Sequence, residues 1–156
     1  MDKIVLFTVT HIFVFLIGFS IGIHLFPILT ATQSPNIHLL QQAASNARYQ
    51  ARFDRSILGS DILHRGKGQF SITHDSIVMI GKLPPGGDYR LYLVPSPVTN
   101  KKEFLAIKQQ SAQLQAIDSF NGFIIDIPNN INVDDYTGIV IWCEQFNQFI
   151  TAAQYR

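Results

Sequence analysis

Cysteine is almost absent from this chain: Cys143 is the single one in 156 residues. One thiol closes no internal disulfide, builds no four-thiol zinc site and leaves no C-x-x-C-H attachment for a c-type haem. The lack of a cysteine near the N-terminus argues against a lipoprotein anchor there. Charge of either sign is also scarce, with twelve Lys plus Arg against eleven Asp plus Glu and a net charge of +1. Such a balance supplies no basic stripe, so nucleic acid is not an expected partner. From Ile4 to Ala47 there is no Asp, Glu, Lys or Arg at all. Several signatures of chemistry are missing too: the G-x-S-x-G elbow, H-E-x-x-H, the phosphate-binding G-x-x-x-x-G-K and the D-x-[DN]-x-[DN]-G calcium loop. There is no internal repeat.

What the charge-free stretch contains is mostly Val, Leu, Ile and Phe, from Ile4 to Phe26. As a helix this run is about 35 Å long at ~1.5 Å per residue, enough to cross a ~30 Å hydrocarbon layer. The expected membrane segment is therefore Ile4 to Leu29, with Pro27 marking its exit and the lipid bilayer as its partner. A cleaved signal peptide would carry a shorter apolar run and small residues before the cut. Leu29-Thr30-Ala31 puts a bulky leucine there, which favours an uncleaved, single-pass anchor. Lys3 is the one cation favouring an inside N-terminus, which would place the rest of the chain outside the cytoplasm. Gly18 and Gly22 form a G-x-x-x-G pair through which two such helices could associate. His11 and His24 stand thirteen residues apart, about 140° around the axis, so one face cannot offer both to a haem. Neutral imidazoles bonded near the membrane's edges are the reading preferred.

Residues 30–60 read as a linker with a short juxtamembrane helix. Ser34-Pro35 has the form of an N-cap followed by a first-turn proline. Ile37, Leu40, Ala44, Ala47 and Ala51 then recur at helical spacing, with Arg48, Arg52 and Arg55 on another face, read as a solvated basic face. After Gly59 the texture changes to short apolar runs between turn residues. Gln69–Thr73, Ser76–Leu83, Tyr89–Val94, Gly122–Ile127, Gly138–Cys143 and Gln148–Ala152 are strand candidates, and Lys101–Gln110 a short helix. Pro84 to Asp88, Pro95-Ser96-Pro97 and Asn129-Asn130 are turn signals. The resulting expectation is a mainly β domain over residues 61–156, an antiparallel sandwich or barrel, with 4–29 as a transmembrane anchor.

Few residues promise chemistry. Alternation along Gly138–Cys143 puts Ile139, Ile141 and Cys143 on one face and Val140, Trp142 and Glu144 on the other. Sharing a face with two isoleucines predicts a buried, inert thiol. His64, His74, Asp75 and Asp88 have no diagnostic metal spacing, and His74-Asp75 falls where a hairpin turn is expected. Asn129, Asn130, Asn132, Asp134 and Asp135 read as a solvated loop. Asp126 is read as facing water from an open sheet face.

The C-terminal two-thirds nevertheless resembles a known family. Gly138-Ile139-Val140-Ile141-Trp142-Cys143-Glu144, then Phe146 and Phe149 to Ala153, is similar to the closing signature of the DM-thirteen, or electron-transfer DM, domain. Gly66-Lys67-Gly68 with Phe70 and Ile72, Pro85 to Leu93, and Phe120 to Pro128 with Val133 and Tyr136 agree with it, over about residues 64 to 156. Gly87 stands where many members have proline. The resemblance implies a β-rich extracytoplasmic module on a membrane, of a bacterial membrane-anchored type, with a redox or electron-transfer accessory role centred on Cys143 as candidate redox thiol. An envelope protein or redox partner would follow, while no residue pattern identifies a cofactor. The residues alone leave the alternative open, a non-catalytic binding or assembly module in which Cys143 is core packing.

Overall fold

Lys3–Thr30 forms α1, a helix apolar on every side with no buried side chain of its own. By length and composition it could cross a membrane or serve as a signal sequence. Pro27 lies inside it rather than ending it. The proline ring removes one backbone donor in the last turn, where too little helix follows for the kink to matter. Thr30 Oγ1 donates to the Phe26 carbonyl at 2.8 Å in that same turn. His11 Nδ1 sits 2.8 Å from the Phe7 carbonyl, so its imidazole is tied to its own helix. The computed structural model describes residues 2–53 and 67–156. The chain divides into two units, Met1–Ala31 and Thr32–Arg156.

The second unit is mainly β. Its elements are α2 (Ile37–Ala44), β1 (Tyr49–Phe53), β2 (Lys67–Ile72), β3 (Ser76–Lys82), β4 (Tyr89–Val94), α3 (Lys101–Ile107), β5 (Ala112–Ile117), β6 (Phe123–Asp126), β7 (Gly138–Cys143) and β8 (Gln148–Gln154). Two four-stranded sheets form, in the orders β1-β2-β3-β6 and β5-β4-β7-β8, and every pairing is antiparallel. β1 lies beside β8 and β5 beside β6, so the sheets face each other as a sandwich. Phe53, Phe70, Ile77, Met79 and Phe123 of the first sheet and Leu91, Leu93, Ile139 and Ile141 of the second are buried on alternating positions.

Two expectations from the linker are corrected. The helix is capped by Asn36, whose side chain accepts from the His38 N–H, and it stops at Ala44. Ala47 and Ala51 therefore do not continue its stripe. Ala51 belongs to β1, which pairs residue for residue with β2, with Ala51 and Phe53 buried and Gln50 and Arg52 exposed. Small alanines fit either period, and the Phe53–Phe70 ring contact at 4.9 Å decides for the strand. Arg48 and Arg52 consequently share no helical face, and Arg48 forms an ion pair with Asp134 at 2.6 Å. Arg55, His64 and Gly66 lie outside the described residues.

α3 explains why β7 is buried on both faces. Asn100 caps it by accepting from the Glu103 N–H, while Glu103 accepts from the Thr99 N–H and hydroxyl at 2.7 and 3.0 Å. The helix lays Phe104 on the outer face of the second sheet, in one cluster with Tyr92, Val94, Val98, Val140, Trp142, Phe149 and Ala152. β7 thus sits between β4 and β8 in its sheet, and between the sandwich interior and α3 across it.

Candidate functional site

Cys143 closes β7 on the interior face and is 2 % exposed. Its cross-strand partner in β4 is Tyr89. Between β3 and β4 the chain turns through Pro84, Pro85, Gly86, Gly87 and Asp88, and this turn covers the thiol. Sγ donates to the Gly87 carbonyl at 3.0 Å. Asp88 takes a left-handed backbone (φ 51°) and its carbonyl accepts from the Glu144 N–H at 3.0 Å, so the turn is stitched to the end of β7.

Glycine at 86 and 87 is a matter of space. A Cβ on Gly86 would overlap the Tyr89 hydroxyl and ring, and one on Gly87 would overlap the Gln145 amide. The turn therefore lies flat on the two groups beneath it, a cover one backbone thick. Burial pushes the Cys143 thiol above its ordinary value, and the negative charges of Asp88 and Glu144 add to that; the backbone N–H groups of Phe146 and Gln145, turned toward the sulfur, pull the other way. At rest the group is a protonated thiol.

Tyr89 adds a second signal. Its hydroxyl is buried and has no hydrogen-bond partner. A buried, unpaired hydroxyl costs about 1–3 kcal/mol, and native structures keep few of them. Burial, and then the neighbouring Cys143, push its pKa well above the usual phenol range. Phe120 packs edge-on against its ring at 5.9 Å.

On the opposite face of the same strand pair lies a polar and aromatic cluster. Tyr92 donates to the Glu144 carboxylate in a short hydrogen bond, and Lys108 Nζ bonds the other carboxylate oxygen at 2.7 Å. Gln113 Oε1 stands 2.8 Å from the Tyr92 hydroxyl. One phenolic hydrogen cannot serve two acceptors, so the Gln113 amide is best turned to donate its NH₂ to the phenol oxygen. The Lys108 ammonium lies 5.5 Å from the Tyr92 ring centre and 5.2 Å from that of Trp142. Burial alone would raise the Glu144 pKa; Lys108 and Tyr92 outweigh it and hold the carboxyl below its ordinary value. The Trp142 N–H helps electrostatically but closes no hydrogen bond, and its nitrogen is buried without a partner.

Of the remaining sequence candidates among the described residues, Asp88 lies in the turn over Cys143 and the others stand apart from both places. Thr73 Oγ1 bonds Asp75 and Ser76, which makes Thr73 to Ser76 a side-chain-braced hairpin turn. Asp134 is committed to Arg48 and Tyr49, and Asp88 to Arg90 at 2.9 Å. Asp126 ends β6 exposed. Among the described residues no three His, Cys, Asp or Glu side chains converge. Alternation had separated Cys143 from Trp142 and Glu144; it could not supply Tyr89, Gly87 or Lys108, which meet β7 from distant parts of the chain. Tyr92 and Gln113 share a face only through the β4–β5 register.

A comparison with protein families matches residues 58–155 to the family described as Electron transfer DM13. No curated protein matches the chain, and no solved structure does.

Proposed function

The chain belongs to the Electron transfer DM13 family, and on that premise we propose an accessory electron-transfer domain, tethered to a membrane by α1 and held outside the cytoplasm, with Cys143 as its redox group. The observation that carries this is the cover of the thiol: one glycine turn, with the Sγ–H bond to Gly87 as its catch. A thiol kept protonated under a removable cover is protected from random oxidation and released when the turn lifts. A single cysteine closes no internal disulfide, so its cycle runs through a partner. The thiol gives up its proton, the thiolate attacks one sulfur of a partner's disulfide, and the partner's second sulfur leaves as a thiolate. Support for the tether comes from the 28-residue apolar helix, ~42 Å long at ~1.5 Å per residue. Lys3 beside its start supports the outside placement of the domain. Self-association of α1 through Gly18 and Gly22 belongs to the same proposal.

A second reading has its own observation. The thiol is buried and its one donor is satisfied, which suits core packing in a non-catalytic binding module of the envelope. Labelling of the full chain by a neutral thiol reagent under increasing urea separates the two. A gated thiol reacts through a local opening whose rate is flat at low urea. A packing thiol reacts only through global unfolding, with the full urea dependence from the start. That second outcome would overturn the redox role of Cys143.

A further inference from the structure

We infer that Tyr92 is a one-electron relay whose phenol passes its proton to Glu144 as it gives its electron to an oxidised transition-metal centre of a redox partner. The inference goes beyond the Cys143 reading and does not require it, because the two groups lie on opposite faces of the β4–β7 pair.

The geometry supplies what an oxidisable, reusable tyrosine needs. Removing an electron from a phenol makes a very strong acid, so the step is accessible only where a base takes the proton at once. Glu144 is that base, in a short hydrogen bond to the Tyr92 hydroxyl. Lys108 at 2.7 Å keeps the carboxylate ionised and therefore ready to accept. The step balances: Tyr92–OH, carboxylate and oxidised metal become a neutral Tyr92 phenoxyl radical, a carboxylic acid and the metal reduced by one electron. No net charge is created on the buried ring, which a low-dielectric site requires. Returning one electron from a donor and the proton from Glu144 restores the phenol.

Burial protects the radical. Tyr92 is 2 % exposed and Trp142 fully buried. Phe104 lies between them, 5.1 Å from the Tyr92 ring and 5.0 Å from the Trp142 ring, a continuous aromatic path under α3. Lys108 and Glu144, each about a quarter exposed, mark where this path reaches the surface. The chain holds an internal comparison in Tyr49, which also donates to a carboxylate, Asp134, at 2.8 Å. That pair is open to solvent, however: Arg48 on Asp134 is exposed and also lies 5.2 Å over the Tyr49 ring, and Tyr155 is the aromatic ring Tyr49 meets. Tyr155 itself donates to a backbone carbonyl, which is no base. Tyr92 alone combines a carboxylate partner, burial and the aromatic path among the described tyrosines.

The test uses the full chain in detergent with flash-generated tris(bipyridyl)ruthenium(III) as the one-electron oxidant. The tyrosyl radical is followed by its paramagnetic resonance and its absorbance. The expected radical is lost in Tyr92→Phe and kept in Tyr49→Phe. Glu144→Gln keeps the hydrogen bond but removes the base, and should slow radical formation by roughly 100-fold, the scale of a positioned proton acceptor. Heavy water should slow the unmodified chain as well, a readout that needs no variant to fold. Equal radical yield in Tyr92→Phe, or an unchanged rate in Glu144→Gln, would overturn the relay. Repeating the measurement in Cys143→Ser keeps the two proposals apart: the relay predicts an unchanged radical there, and its loss would count against the relay as stated.

Discussion

Alkaline titration bears most directly on the interior of the second unit. Cys143, Tyr89 and Tyr92 are all neutral when protonated, and burial is the first cause holding each above its ordinary pKa. The folded chain therefore binds more protons than the unfolded chain at high pH, and stability falls as pH rises past the unfolded values. That loss starts near the unperturbed thiol value of ~8.5 and steepens past the tyrosine value of ~10. One pH unit above ~10, each buried tyrosine contributes about 1.4 kcal/mol of loss, about 3 kcal/mol for Tyr89 and Tyr92 together. Against a total stability of about 5–15 kcal/mol that is a large share. With a urea slope of about 1.5 kcal/mol per molar, these two tyrosines alone should lower the unfolding midpoint by about 2 M between pH 8 and pH 11, and the Cys143 thiol and Tyr155, which burial also holds above its ordinary value, add to that drop. Trp142 is the single tryptophan, so its fluorescence reports the melt from inside the β7–α3 contact. Tyr89→Phe isolates the contribution of one phenol. It removes a hydroxyl that has no partner, so at pH 7 it should be neutral or stabilising by up to about 2 kcal/mol, and it should cancel about 1.4 kcal/mol of the alkaline loss. A variant that loses more than about 1 kcal/mol at pH 7 would show that the hydroxyl does have a partner, and a midpoint flat from pH 8 to 11 would refute the buried-phenol account altogether.

Other perturbations test other parts. Cys143→Ser should cost only about 1 kcal/mol, because serine inherits the Gly87 carbonyl as acceptor; a loss above about 3 kcal/mol in thermal melts would show that sulfur packing dominates the site. Gly86→Ala should destabilise by about 1–3 kcal/mol because the new methyl meets the rigid Tyr89 ring, whereas Gly87→Ala meets a side-chain amide free to swing and should cost less. Equal losses in the two variants, measured by the same melts, would contradict the flat seating of the turn. Full-length protein should stay with membranes through carbonate and high-salt washing, and recovery of a soluble mature chain starting near Ala31 would overturn the tether.

How far the fold could be read from the chain differs strand by strand. Tyr89–Val94 and Gly138–Cys143 were legible to the residue, because β-branched or aromatic residues fill both runs and turn formers bound the first on each side. β1 was not, since Gln50-Ala51-Arg52 carries no β preference and its alanine also fits a helical stripe. β5, Ala112–Ile117, escaped for the same reason: its glutamines and alanines become a strand only by pairing with β4. At the site, period-two alternation correctly assigned Cys143 to the interior face. What stands over the sulfur was invisible, because the Gly87 contact spans 56 residues and follows from the β4–β7 register. The Lys108–Glu144 pair spans 36 residues and depends on where α3 docks, which local periodicity does not encode.

Stability alone does not account for what this register brings together. Tyr89 Oη and Trp142 Nε1 are the two buried side-chain polar atoms without partners among the described residues, and they flank Cys143, one as its cross-strand partner and one as its neighbour in sequence. Of the two costs, that at Trp142 is eased by the nearby Glu144 carboxylate, while the unmet Tyr89 hydroxyl costs about 1–3 kcal/mol, a large share of a domain's margin at its low end. Phenylalanine at 89 would keep the ring packing on Phe120 and remove one of those costs. A chain selected only to pack Cys143 would gain from that exchange, so the retained hydroxyl is better explained by a state in which it has something to donate to. An oxygen-bearing or partner-bound sulfur at Cys143 is such an acceptor, and the lifted turn is the state in which it would form. Tyr89→Phe should then stabilise the resting fold while weakening whatever Cys143 does when uncovered, seen as faster return of an oxidised thiol to its reduced form under a fixed concentration of a neutral reductant. Gain in stability with no change in that rate would leave the hydroxyl unexplained by the sulfur and would return Cys143 to the core.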